Sequence, residues 1–257
     1  MGTQTRRSMR KLFIYMVILA LCSCEVIKDG DRLIRVDMVE GERVHELLEF
    51  TGFRCVNCPN ASAMAEELKE KYKDHLLVVA LHPASNPFTQ GKYDYTCPGA
   101  DSIYTRMGGT ASTPFPIGNV DMGEYKGEYL HDANDWTTMV YEAMKTSQAP
   151  MLSASAKGDT VTRTIQVAAE YNTFDDRELA LWLVEDSVQG VQAMPDGSTN
   201  LQYMHRHMIR ETTRGTSIQA PEGCNMKKCH VVALLLDKKD NHILNAYETT
   251  IDFGTDH

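Results

Sequence analysis

Hydrophobic positions follow one pattern in the first half of the chain and another in the second. The first half has apolar runs at 44–50 and 76–81, typical of buried strands, on either side of a segment at 61–72 whose apolar residues recur at helical spacing. Strand, helix and strand in this order predict a right-handed crossover that places both strands side by side. Residues 132–145 predict a further amphipathic helix. We therefore predict an α/β domain over residues 44–149.

The second half consists of short apolar or alternating runs separated by turn residues, such as Lys157-Gly158-Asp159. This pattern predicts an antiparallel β-sandwich over residues 150–257, with Pro150 marking the end of the first domain. The predicted strands are 152–156, 161–167, 179–185, 203–210, 231–236 and 243–250.

The start of the chain has the composition of an export signal. Basic residues including Arg10 and Lys11 precede ten apolar positions, which are too few to span a bilayer. The following Leu21-Cys22-Ser23-Cys24 resembles a bacterial lipobox. We expect a lipoprotein signal peptide over residues 1–23 and lipidation of Cys24; Cys22 is the weaker alternative because the bulky Leu21 precedes it.

Charge and compartment limit the classes of partner. The chain has a formal net charge of −9, and the predicted signal contains four basic residues and no acidic ones, so its removal makes the chain more acidic. This argues against nucleic acid or an anionic bilayer surface as a partner. Residues 24–43 are polar and predict a tether. Export also implies an oxidising compartment in which disulfides persist.

Two cysteines lie between the first predicted strand and helix, in Cys55-Val56-Asn57-Cys58. The free NH groups and positive dipole at a helix N-terminus stabilise a thiolate, and Arg54 acts in the same direction. We therefore predict a catalytic dithiol in which Cys55 is the exposed attacking thiol and Cys58 resolves the mixed disulfide.

A metal or haem is the alternative use of a CxxC pair. A zinc site needs a second pair or histidines at ligand spacing, and His45 and His82 are scattered. A haem attachment needs histidine after Cys58, where Pro59 stands. We therefore predict neither a metal nor a cofactor.

A long polar segment at 83–99 follows the second predicted strand and carries Cys97. Connections of this length in a compact domain are often functional. Our hypothesis is that the segment covers the dithiol and that Cys97 approaches Cys55. The alternative is that Cys97 is a lone, partly buried thiol.

The sequence Thr113-Pro114-Phe115-Pro116-Ile117-Gly118 is similar to the cis-proline motif that thioredoxin-like domains pack against their CxxC. Pro116 is the preferred cis residue, because a cis Pro114 would leave Pro116 inside a strand that needs its NH groups. The resemblance implies that Phe115 and Pro116 bind a substrate strand.

Histidines and cysteines of the second half offer other sites. His205 and His207 alternate within 203–210 and would share one strand face, either as a metal site or, more commonly, on a solvated sheet face. Cys224 and Cys229 predict a local structural disulfide; two ligands with His230 are the alternative.

Together, the lipobox, the Cys55–Cys58 turn, Phe115-Pro116 and the aromatic-x-His-x-His strand at 203–207 resemble the outer membrane protein twenty-eight family of Bacteroidetes lipoproteins. The resemblance implies a thioredoxin-like domain followed by a small β-sandwich, anchored to the outer membrane and facing the periplasm or the cell surface. Unlike thioredoxins, the chain has Arg54 where tryptophan is usual, which argues against general disulfide reduction.

Two functions follow from these patterns. The first is a thiol-disulfide oxidoreductase acting on protein thiols or disulfides of the envelope or the extracellular space. The second is a surface binding or adhesion module in which the Cys55–Cys58 bond is only structural.

Overall fold

The computed structural model describes residues 40–254, which belong to one compact unit. The predicted signal peptide, Cys24 and nearly all of the predicted tether lie outside this part of the chain. Within it, no helix is long and apolar enough to cross a membrane.

The described residues form three α-helices and fifteen strands. The helices are α1 (Cys58–Tyr72), α2 (Pro98–Arg106) and α3 (Ala133–Ala143). The strands are β1 (Glu40–Glu42), β2 (His45–Phe50), β3 (Leu76–Leu81), β4 (Ile117–Val120), β5 (His131–Asp132), β6 (Gln148–Pro150), β7 (Leu152–Asp159), β8 (Thr164–Tyr171), β9 (Arg177–Glu185), β10 (Val188–Ala193), β11 (Thr199–His205), β12 (Met208–Thr213), β13 (Ser217–Gln219), β14 (Cys229–Asp237) and β15 (Ile243–Asp252).

Eleven of these strands form one continuous, mostly antiparallel sheet. Their order is β13-β8-β7-β15-β14-β9-β12-β3-β2-β4-β5, and only the pairs β2–β3, β3–β12 and β7–β15 are parallel. Strands β1 and β6 form a separate pair, and β10 and β11 form a separate hairpin. The fold is therefore mixed α/β, with few helices on a large sheet.

The helices and strands predicted for the first half are present in the structure. Strands β2 and β3 pair in parallel from His45 opposite Leu76 to Phe50 opposite Leu81, with α1 as the crossover. Helix α3 begins after Asp132, whose carboxylate accepts a hydrogen bond from the backbone NH of Asn134, as expected of an N-cap.

In the second half, the prediction of one strand over 203–210 is wrong. Strand β11 ends at His205 and β12 begins at Met208, while His207 between them has φ 50°. The two histidines therefore do not share a strand face. Both are also buried, so the expected solvated face is wrong as well.

The two halves are joined through the sheet. Met208 of β12 pairs with Ala80 of β3, so strands of the second half continue the sheet of the first. The division at residue 150 stays a prediction, since a continuous sheet can run through more than one folding unit.

Strands β9 and β14 are buried on both faces. One face, with Leu181 and Leu235, packs against apolar residues of β7, β8 and β13. The other, with Trp182 and Leu234, belongs to the core cluster that contains both cysteines of the CxxC turn. This double burial explains why β14 reads as a continuous apolar run and not an alternating one.

We predict that truncation on either face of β14 destabilises the whole chain. Leu234→Ala and Leu235→Ala should each lower the free energy of unfolding by about 2–5 kcal/mol, because each leaves a cavity in a different core. Urea unfolding followed by circular dichroism measures this, with Leu201→Ala, at an exposed side chain, as the control. If one of the two core substitutions left the urea transition unchanged, the chain would not unfold as a single cooperative unit.

Candidate functional site

The CxxC turn lies where the sequence places it, between β2 and α1. Cys55 and Cys58 form a disulfide with an S–S distance of 2.09 Å, and Cys58 is the first residue of α1. The backbone NH of Cys55 donates to the carbonyl of Gly52, and Pro59 occupies the first turn of the helix, where no NH is needed. The disulfide therefore closes a strand-to-helix turn.

The peptide bond between Phe115 and Pro116 is cis, the preferred one of the two proline alternatives. It directly precedes β4, which pairs antiparallel with β2 so that Ile117 lies opposite Phe50. Phe115 belongs to the same core cluster as Cys55 and Cys58. The cis-proline strand and the disulfide thus lie beside the same end of β2.

Burial corrects one expectation about the dithiol. The sequence predicts Cys55 as the exposed thiol, but it is only 1% exposed, as is Cys58. Phe88 packs against the turn: its carbonyl accepts a hydrogen bond from the backbone NH of Arg54, and its ring stacks on Phe115. A side chain at Gly52 would meet the Phe88 carbonyl at 2.6 Å, so this approach requires glycine.

The β10–β11 hairpin supports the same turn from another side, which the sequence did not indicate. The side-chain amide of Gln192 donates to the carbonyl of Cys55 at 2.9 Å, and the backbone NH of Ala193 donates to the carbonyl of Phe53 at 2.8 Å. The hydroxyl of Tyr95 accepts a hydrogen bond from the NH of Val191 and so connects the hairpin to the long polar segment at 83–99. Both segments therefore hold the turn closed.

Cys97 is a free, buried thiol at the N-terminus of α2. Burial raises the pKa of its thiol. Cys97 is not bonded to Cys55, which is bonded to Cys58, but it belongs to the same core cluster as both of these cysteines.

A cavity of about 450 Å³ lies beside the turn, between α1 and β11. Its polar lining includes Glu49, Thr51, Ser62, Glu66, His82, Gln192, Tyr203, His205 and His207. Glu49 is 3% exposed and accepts a hydrogen bond from the Ser62 hydroxyl at 2.5 Å. Burial raises the pKa of Glu49 to about 7, although the Ser62 hydrogen bond and nearby His207 lower it.

Two neutral histidines form the inner wall of this cavity. Burial, with nearby His205 and Arg210, places the pKa of His82 well below its usual value, and neither of its ring nitrogens has a hydrogen-bond partner among the described residues. Burial lowers the pKa of His205 to about 4, although the contact of its Nε2 with the carbonyl of Val191 acts to raise it. Both rings are therefore uncharged at neutral pH.

A row of five ionisable side chains runs from α1 to β15. His207 lies 2.8 Å from Glu66 through Nε2 and 2.9 Å from Asp186 through Nδ1; His230 lies 3.3 Å from Asp186 and 3.2 Å from Glu248. Burial lowers the pKa of His207, but the two carboxylates outweigh it and the pKa is raised. Burial raises the pKa of Asp186, but its contacts with His207 and His230 outweigh this effect, and the pKa is far below its usual value.

The predicted disulfide between Cys224 and Cys229 is not formed. Their Sγ atoms lie 3.1 Å apart and both thiols are free and buried. The carboxylate of Glu185 shares this site, so that the three donor atoms all lie within 4.8 Å of one another. His230, the third ligand of the alternative interpretation, belongs instead to the ionisable row.

Comparison with known proteins gives a fold and no family. No family model matches the chain, and no curated protein matches it in sequence. Among solved structures, HBP35 of Porphyromonas gingivalis matches with a TM-score of 0.60 and 17% identity, over 84% of this chain and 78% of that chain. A structural-genomics protein of Agrobacterium tumefaciens matches with a TM-score of 0.50 and 11% identity, over 84% of this chain and 97% of that chain.

A domain of the outer membrane lipoprotein Omp28 from P. gingivalis also matches, with a TM-score of 0.25 and 16% identity, over 42% of this chain and 91% of that chain. At these identities, the likeness to HBP35 and to the Agrobacterium protein shows a shared fold alone.

We predict that Glu49→Gln gains stability relative to the wild type as pH rises. The unfolded carboxyl loses its proton near pH 4.5 and the folded one near pH 7, so the wild type loses up to about 3 kcal/mol between these values. Glutamine has no such loss. Urea unfolding at pH 5, 6, 7 and 8 measures the difference, with Glu67→Gln, at an exposed site on α1, as the control.

A second pH dependence should come from His207. Because its folded pKa is raised, its stabilising contribution is complete below the unfolded value of 6.5 and is lost as pH rises through the folded value. His207→Gln should therefore cost most stability at pH 5–6 and less at pH 9, as measured by thermal unfolding. Exposed His75→Gln is the control, and a cost that grows with pH would refute the ion pairs.

Proposed function

We propose that this chain is a thiol-disulfide oxidoreductase of the bacterial envelope, with Cys55 and Cys58 as its catalytic dithiol. One observation carries the proposal: the disulfide lies at the N-terminus of α1, beside the strand that begins after the cis Phe115–Pro116 bond. This arrangement supports a thioredoxin-like assignment for residues 44–149. The packing of β9 and β14 against β7, β8 and β13 supports a β-sandwich for residues 150–257. The shared fold with HBP35 adds support.

The exchange reaction uses two thiols of a substrate polypeptide. The first, as a thiolate, attacks Sγ of Cys55; the Cys55–Cys58 bond breaks, and the sulfur of Cys58 leaves with the electron pair and takes a proton. The helix N-terminus stabilises this leaving thiolate. The second substrate thiolate then displaces Cys55, so that the substrate gains a disulfide and the protein gains two electrons.

Substrate access requires movement of the segment that carries Phe88, because Cys55 is only 1% exposed. Once Phe88 leaves, Phe115 and Pro116 lie uncovered next to the disulfide, as the stacking of Phe88 on Phe115 indicates. We assign the binding of an extended substrate strand to these two residues.

The proposed location is the outer membrane, through a lipid on Cys24, facing the periplasm or the cell surface. The lipobox-like sequence at 21–24 supports a lipid anchor, and the basic and apolar residues before it support export. The substrates are proposed to be protein thiols or disulfides of the envelope or the extracellular space.

The burial of the disulfide favours a second function. A bond that solvent does not reach is typical of a structural staple, and the chain would then be a surface binding module. The two functions differ in the reduction potential of the pair, since structural disulfides have potentials below about −300 mV.

We predict a potential between about −270 and −120 mV, the range of known oxidoreductases. It is measured by equilibrating the protein with glutathione buffers and quantifying alkylation of the Cys55 and Cys58 peptides by mass spectrometry. Cys55→Ser should abolish oxidation of a dithiol peptide, whereas Cys97→Ser should retain it. A reduction potential below about −300 mV, or an unchanged rate of disulfide exchange in Cys55→Ser, would show that the Cys55–Cys58 disulfide is structural.

A further inference from the structure

Three buried side chains form a donor cluster far along the chain from the CxxC turn. Cys229 is the first residue of β14 and lies opposite Glu185, the last residue of β9, in the sheet register. Cys224 approaches the same point from the preceding loop, which closes with a 3-10 turn at Met226–Lys228. Exposure is 4% for Glu185, 5% for Cys224 and 8% for Cys229. The fold thus holds two thiols and one carboxylate together.

We propose that Glu185, Cys224 and Cys229 bind one thiophilic divalent metal ion of the zinc class. Thiolates and carboxylates are ordinary zinc ligands, and the three donor atoms already lie within 4.8 Å of one another.

The separation of the sulfurs is closer to that of a metal site than to that of a disulfide. Two thiolates on a tetrahedral zinc ion, each at about 2.3 Å, lie about 3.8 Å apart. A disulfide requires about 2.05 Å. The two sulfur atoms lie 3.1 Å apart, so they must separate by about 0.7 Å to bind zinc and approach by about 1 Å to form a disulfide.

The carboxylate is already oriented for this role. Oε1 of Glu185 accepts a hydrogen bond from the backbone NH of Asn225 at 2.9 Å, and Oε2 lies 3.3 Å from Nε of Arg210. Such outer contacts fix a ligand carboxylate and tune the ion it binds.

Charge is balanced with and without the ion. Without it, Glu185 is paired with Arg210 at 3.3 Å, and two free thiols share the site. With it, two thiolates, one carboxylate, one guanidinium and one divalent cation again sum to zero. Binding therefore leaves no uncompensated buried charge. It also releases two protons, so the affinity should rise by up to about 100-fold per pH unit.

The experiment uses Cd²⁺ as the probe on the full chain carrying Cys22→Ser, Cys24→Ser, Cys55→Ser and Cys58→Ser, which removes the two other close pairs of cysteines. The protein is reduced, freed of reductant under argon and titrated while the thiolate-to-metal charge-transfer absorption is recorded. We expect one equivalent to bind, with a steep rise in affinity between pH 6 and 7.

Further substitutions in this background identify the ligands. Cys224→Ser or Cys229→Ser should abolish the absorption band, and Glu185→Gln should keep it but weaken binding by about tenfold or more. Cys97→Ser, at another buried thiol, is the matched control and should bind like the parent. Circular dichroism establishes that each variant is folded.

Three results would overturn the proposal: no band in the reduced parent, a band that survives Cys224→Ser in a folded protein, or a Cys224–Cys229 disulfide that persists through reduction. Glu185→Gln provides a readout in a variant that retains both thiols, so a folding defect in the cysteine variants leaves the proposal testable. The result is independent of any redox activity at Cys55.

Discussion

The double burial of β9 and β14 is the constraint on which the rest of the structure depends. Side chains that alternate along these strands fill two cores, one beneath β7, β8 and β13 and the other beneath the CxxC turn. The central residues of both strands have no face left for solvent, so these positions must be apolar, and charged residues are confined to the strand ends. The pair therefore ties the stability of one core to that of the other.

The position of the candidate site follows from this sheet. Strand β9 ends at Glu185, and β12 begins at Met208, which pairs with Ala80 near the carboxyl end of β3. The connection at 186–207 must therefore emerge at the edge where β2 and β3 end. Because the CxxC turn also begins at that edge, the β10–β11 hairpin meets it and Gln192 contacts the carbonyl of Cys55. Sheet topology thus places a hairpin of the second half on a turn of the first.

The local pattern of apolar and polar residues predicted most helices and strands. The features that it did not predict depend on contacts between residues that are distant in sequence. The strand-turn-helix around Cys55 and most strands of the second half could be identified from spacing alone, and the strand after Pro116 from its resemblance to a cis-proline motif. The burial of Cys55 could not, because it depends on Phe88 and on the hairpin. The free state of Cys224 and Cys229 was likewise hidden, since their spacing in an exported chain predicts a disulfide, with a pair of ligands as the alternative. Glu185 joins them only through strand pairing.

The two histidines at 205 and 207 show how the backbone separates residues that a sequence pattern treats alike. Alternation predicts one shared face, but the left-handed conformation of His207 ends the strand and turns the second ring elsewhere. His205 then faces the apolar and aromatic surroundings of Tyr95 and Tyr203, and burial lowers its pKa to about 4. His207 lies between two carboxylates, which raise its pKa. His205 is therefore neutral, whereas the cationic form of His207 is favoured. The charge state of each histidine depends on its contacts in the fold and not on the sequence motif.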